Sequence, residues 1–145
     1  MSFKISKSFS YLALALLITV LAGNAYGEDE VYYCADTAST GFQYNENLMK
    51  YERATFEKQK FKLKFDRTAK TIEIKGHGLS TVNSATYNCT APFMASYPEE
   101  LRCHSKYYSL NFNSDDGRFV FMIGYGYFSS GADSIGIAYG KCDKF

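Results

Sequence analysis

The chain has 145 residues, with 16 Lys or Arg against 15 Asp or Glu and a net charge of +1. That length admits one small domain behind a leader, and the near-neutral balance removes the electrostatic case for binding nucleic acid or an acidic membrane surface. With 13 Tyr, 12 Phe, no Trp and two Pro, the composition is that of a compact β-rich domain, because aromatic residues favour strands and bury large areas.

Residues 1–27 read as a secretory signal peptide. Lys4 and Lys7 form a positive leader, Tyr11 to Ala22 is an uncharged apolar run, and Ala25-Tyr26-Gly27 offers small residues at a cleavage site. A membrane anchor is the rival reading, but the run is shorter than the ~20 apolar residues of a spanning helix. Leu21-Ala22-Gly23 is followed by Asn24, where lipidation needs a cysteine. The expected product is an exported domain of residues 28–145, periplasmic or secreted, with no membrane anchor. Without Lys4 and Lys7 it keeps 14 basic and 15 acidic residues, a net charge of about −1.

The domain opens with a strand at Val31 to Ala35 and a second, short one at Gly41 to Tyr44. Asn45 to Glu57 is ambiguous: a short helix capped by Asn45 or Asn47, an irregular cover, or an extended segment. Lys60 to Phe65 alternates with period two, so Phe61, Leu63 and Phe65 point inward and the lysines outward. Asp66 to Lys70 is a turn, and Thr71 to Lys75 alternates again. Pairing Phe65 with Ile72 sets Leu63 against Ile74 and Lys64 against Glu73, so one register satisfies both faces.

Strands are expected at Ala85 to Thr90 and Leu101 to Ser105. Tyr108, Leu110 and Phe112 form the next inward face, and Ser114-Asp115-Asp116-Gly117 supplies turn residues. Phe112 then meets Phe119, Leu110 meets Phe121 and Tyr108 meets Ile123. The last strand is Ile135 to Lys141, with Ile135, Ile137 and Tyr139 on one face. About eight short strands in meander order define an all-β domain, a small antiparallel up-and-down barrel in preference to a sandwich.

Cys34, Cys89, Cys103 and Cys142 form an even set in an exported chain, so two disulfides are expected. Of three possible pairings we favour Cys34–Cys142, which ties the first strand to the last, and Cys89–Cys103, which closes a loop holding Pro92 and Pro98. The cysteine spacings match no zinc site, and no metal or cofactor is expected.

Four features are candidates for function. Lys58, Lys60, Lys62 and Lys64 line one strand face, either as a grip for an anionic ligand or as a solvated face that blocks edge pairing. Phe119 to Ile123 is apolar on both sides, so its outer Val120 and Met122 need a cover, for which Asn45 to Glu57 is the first choice, or else a partner. Gly124 to Gly131 places Tyr125 and Tyr127 beside Ser129 and Ser130, a combination suited to recognition or to a barrel corner. His77 sits between two glycines in a loop, and His104 faces away from Cys103.

Glu99-Glu100 and Asp115-Asp116 are acid pairs in turns, expected to be solvated. No nucleophile elbow or zinc-protease helix occurs, and no convergent catalytic set appears. Asn88-Cys89-Thr90 matches a glycosylation sequon.

The Tyr32-Tyr33-Cys34 opening, the late Cys142, and Ser130-Gly131 ahead of Tyr139 resemble bacterial envelope inhibitors of C-type lysozyme. Those are small exported β-barrels with a first-strand cysteine and an inhibitory loop bearing Ser-Gly and a later Tyr. Here the tyrosine lies too far from Ser130-Gly131 for that spacing, and no functional residue is carried over. The expectation is a non-enzymatic binding protein for a small apolar or aromatic-stacking ligand or for a protein partner. The alternative is a secreted enzyme inhibitor acting through Tyr125 to Ser134, and a hydrolase using His77 with a nearby carboxylate is a third possibility.

Overall fold

The structure, a computed structural model, describes residues 29–77, 84–92, 96–124, 127 and 134–145. The expected leader lies outside them, as do Tyr125, Ser129 and Ser130.

The strands are β1 (Glu30–Asn45), β2 (Lys50–Thr55), β3 (Lys60–Asp66), β4 (Thr71–Lys75), β5 (Ser84–Thr90), β6 (Glu100–His104), β7 (Tyr108–Asn113), β8 (Arg118–Ile123) and β9 (Ile135–Lys144). From β3 to β9 each strand pairs antiparallel with its successor, and β1 closes the ring between β3 and β9. The result is the expected closed eight-stranded barrel, with β2 as one additional strand. Closure pairs every wall strand on both sides, which removes the exposed edges that invite aggregation.

Both sequence-derived hairpins have the expected register. Phe65 faces Ile72, Lys64 faces Glu73 and Leu63 faces Ile74. Phe112 faces Phe119, Leu110 faces Phe121 and Tyr108 faces Ile123. All the apolar members of these pairs are buried.

The interior is filled by side chains. Leu63, Ile72, Tyr87, Leu110 and Phe121 have no solvent exposure. Rings meet edge to face, Tyr32 with Phe112 at 5.0 Å and Phe61 with Phe119 at 5.1 Å, the geometry that aromatic quadrupoles favour. The disulfides are Cys34–Cys142 and Cys89–Cys103. Each joins directly opposed residues, across β1–β9 and β5–β6. Paired cysteines are sustained by an oxidising environment.

Two expectations need correction. The segments 31–35 and 41–44 are one strand, not two. Ala35 to Thr40 holds no large apolar residue to mark the period, and a bulge between Asp36 and Ala38 shifts the register so that Cys34, Asp36 and Ser39 are all buried.

Asn45 to Glu57 is not a cover for Val120 and Met122. It forms the tip and second strand of a hairpin that pairs edge to edge with β1. Val120 and Met122 stay half-buried on the outer wall.

In β9, Ile135, Ile137 and Tyr139 share one face as expected, and that face is outward: Ile137 and Tyr139 are exposed while Gly136, Ala138 and Gly140 face in. A Cβ on Gly140 would lie 2.0 Å from the Ala35 carbonyl oxygen and 2.9 Å from the Phe119 ring. Close approach of β1 and the bulk of Phe119 therefore reserve the inside of β9 for small residues.

The barrel has two ends. The turn end holds the starts of β1 and β4 with the turns after β3 and β7. The hairpin end holds β2 and the chain after β4 and β8.

Candidate functional site

The hairpin end is built by β1 running past the rim. Phe42 is the last β1 residue paired with β9, opposite Ile135. Beyond it, residues 43–45 pair with residues 50–52 and with no other described strand. At ~3.4 Å per residue this lifts the tip about 10 Å clear of the ring.

Asn45 shapes the tip. Its Oδ1 accepts from the Asn47 and Leu48 backbone N–H groups at 3.1 and 3.3 Å, an Asx turn. Its Nδ2 donates to Glu52 at 2.8 Å. That bond, then Lys50, holds the Glu52 carboxyl below the usual carboxylate range. Met49 closes the turn in the left-handed region at φ 51°.

This braced turn presents apolar groups to solvent. Met49 is 75% exposed, and Leu48 and Phe42 are about half exposed. Tyr44 and Tyr51 are register partners with ring centroids 5.2 Å apart. Tyr127 packs edge-on to Tyr51 at 5.3 Å and is itself 64% exposed. Of the recognition loop inferred from sequence, Tyr127 is therefore brought to the hairpin, whereas Tyr125, Ser129 and Ser130 lie outside the described residues. Sequence reasoning passed over Tyr44, Leu48, Met49 and Tyr51. Their signal was Asn45-Glu46-Asn47, a turn composition flanked by two tyrosines.

Beneath the hairpin lies a buried polar pair. Gly76 adopts φ 87°, a conformation suited to glycine, at the end of β4. The chain turns there, and His77 enters the barrel instead of standing in an exposed loop. Its ring packs 4.7 Å from Phe61 and 4.3 Å from Phe121. Nε2 lies 3.5 Å from Asp36 Oδ1, and both side chains are 0% exposed.

Burial pushes the His77 imidazole below its usual range; the Asp36 carboxylate opposes this without overcoming it. Asp36 Oδ2 accepts from the Gln59 backbone N–H at 3.0 Å, and Asp36 N–H donates to the Gln59 carbonyl at 2.9 Å. The pair thus anchors the segment that leads from β2 into β3. His104 lies exposed beside the fully buried Cys103, on the opposite face as expected.

The lysine row is outward as expected, but it is not uniform. Lys64 is paired with Asp29 at 2.6 Å, and this bond raises the Lys64 pKa. Lys60 and Lys62 are exposed and have no acidic partner among the described residues.

At the turn end Asp115 is exposed as expected, while Glu99 and Asp116 keep contact with solvent and are also paired. Glu99 accepts from Arg67 at 3.1 Å and from the Ser114 hydroxyl. Glu30 accepts from Arg67, from the Tyr32 hydroxyl and from Lys144. Burial raises the Glu30 pKa, but these three donors outweigh it and hold the carboxyl at about 2. Asp116 is engaged with Arg118.

The class that these features define is a closed, side-chain-filled antiparallel β-barrel with a protruding aromatic hairpin. Comparison with known protein families, curated proteins and solved structures found no match for the chain.

Proposed function

We propose that this is an exported, non-enzymatic binding protein that engages a protein partner through its hairpin end. The observation that carries the reading is the tip itself, with Tyr44, Tyr51 and Tyr127 in edge contact beside exposed Phe42, Leu48 and Met49. Aromatic residues and Met are enriched where proteins meet, and a rigid aromatic loses little entropy on binding. Two disulfides fit the exported setting. The filled interior favours a partner on the surface over a ligand held in the lumen.

Burial of His77 also bears on the hydrolase possibility. A general base must come within reach of the proton it takes, and this imidazole is enclosed by Phe61 and Phe121. The protruding hairpin, a braced wedge suited to an enzyme's cleft, supports an inhibitor that acts through residues 42–51 and not through the Tyr125 to Ser134 loop expected from sequence.

The test is affinity capture from the host's envelope fraction with the full domain and two variants. Tyr51→Ser with Met49→Asp is expected to lose a partner that the parent and Lys62→Glu both retain. Equal retention by all three would remove the hairpin from the interface.

A further inference from the structure

A shallow groove of about 510 Å³ runs across the outer wall near the turn end, away from the hairpin. One row of outward residues crosses it on four adjacent strands, Arg102 opposite Asn111, Asn111 opposite Val120, and Val120 opposite Tyr139. At ~4.8 Å per strand the row is about 14 Å long. The next row brings Arg118 opposite Lys141, and Pro92 borders the groove.

The chemistry of this groove is specific. Val120 supplies a half-buried apolar floor, and Tyr139 stands 52% exposed as a flat platform. Arg102 and Lys141 have no acidic salt-bridge partner among the described residues, and Arg118 has only Asp116. Glu100 lines the groove on the Asn113 side, two residues from Arg102. It therefore disfavours an anion at Arg102; Asp116 holds Arg118 and also acts on Lys141, which leaves one net positive charge at that pair, beside Tyr139.

Every wall strand here is paired on both sides, so there is no free backbone edge to capture a peptide main chain. Recognition must come from side chains. A guanidinium fork binds a carboxylate in two parallel bonds. Asparagine amides match hydroxyl groups as donor and acceptor. The electron-rich face of a tyrosine attracts the polarised C–H face of a sugar ring.

From this juxtaposition we infer that the β6–β9 wall is a binding site for a short acidic oligosaccharide. Its sugar ring lies on Tyr139, its carboxylate sits between Arg118 and Lys141, and its hydroxyls meet Asn111 and Arg102. This site is separate from the hairpin and goes beyond the partner reading.

The experiment is titration calorimetry of the full domain with an oligomer of galacturonic acid, its neutral galactose counterpart and oligoglutamate. The acidic sugar is expected to bind, more weakly as salt rises, and the other two to bind at least tenfold more weakly. Arg118→Lys, which keeps the charge but removes the fork, and Tyr139→Ala are each expected to weaken it at least fivefold, with unchanged melting. Met49→Asp is expected to bind the sugar as the parent does, which separates this site from the hairpin. No binding of the acidic oligomer would overturn the inference. So would equal binding of oligoglutamate, which would mean an acidic peptide site, or parent-like affinity in both groove variants.

Discussion

At the turn end, charged and hydroxyl side chains from separate segments satisfy one another: Arg67 joins Glu30 to Glu99, Ser114 bonds Glu99, and Tyr32 and Lys144 bond Glu30. At the hairpin end the polar pair is hidden inside and apolar side chains face water, Phe42, Leu48, Met49 and Tyr127 among them. The same wall strands thus finish in a clamp at one end and in a display surface at the other. A filled barrel already has its core, so exposed aromatics beyond the rim add little to folding and are free to serve recognition.

The largest expected effect tests what both ends depend on, the closure of the ring. Replacing Cys34 and Cys142 by serine opens a cross-link spanning 108 residues. Chain entropy puts its contribution at about 4.7 kcal/mol. The Cys89–Cys103 link spans 14 residues and is expected to contribute about 3 kcal/mol. Urea unfolding of the two double variants measures the difference, and a reversed order would break the closure argument.

Next comes the clamp. Glu30→Gln removes the charge that three donors share and is expected to cost roughly 2 kcal/mol at neutral pH. Because the folded carboxyl sits at about 2 instead of 4.5, its contribution is present above about pH 4.5 and is lost as pH falls toward about 2. The variant should lack that acid limb in a stability–pH profile.

The buried pair at the hairpin end has a different window. Burial holds folded His77 below its usual pKa of 6.5, so the unfolded chain binds the extra proton first. Stability is expected to fall as pH drops below about 6.5 and then to level off below the folded pKa. His77→Gln should flatten that slope while leaving the acid limb from Glu30 intact. Equal slopes in both proteins would place the neutral-pH titration elsewhere.

The smallest effect on stability belongs to the display surface. Met49→Asp and Tyr127→Ser are each expected to change unfolding free energy by no more than about 0.5 kcal/mol, with binding changed far more. A large loss of stability would make the tip part of the core instead.

The sequence revealed most where side chains alternate in size. Phe61, Leu63 and Phe65 against Ile72 and Ile74 left one workable register, and the structure has it. It said less where bulk and burial part company. In β9, alternation placed Ile137 and Tyr139 on one face without giving its direction; the inside has no room for a side chain at Gly140, and the bulky face is outward. A bulge among small residues erased the continuity of β1, and a single left-handed glycine turned His77 inward. Such backbone events leave little trace in a hydrophobic pattern. For the candidate site, the aromatic loop was noticed through Tyr127, while the hairpin it meets was masked by the ambiguity of Asn45 to Glu57.

We propose that a partner docks at the hairpin end. A photo-crosslinking residue placed at Met49, or at Thr86 on the far wall, and activated in the host's own envelope tests it most directly. A discrete covalent adduct is expected from position 49 and none from position 86. Adducts of equal yield from both positions, or none from position 49, would contradict it.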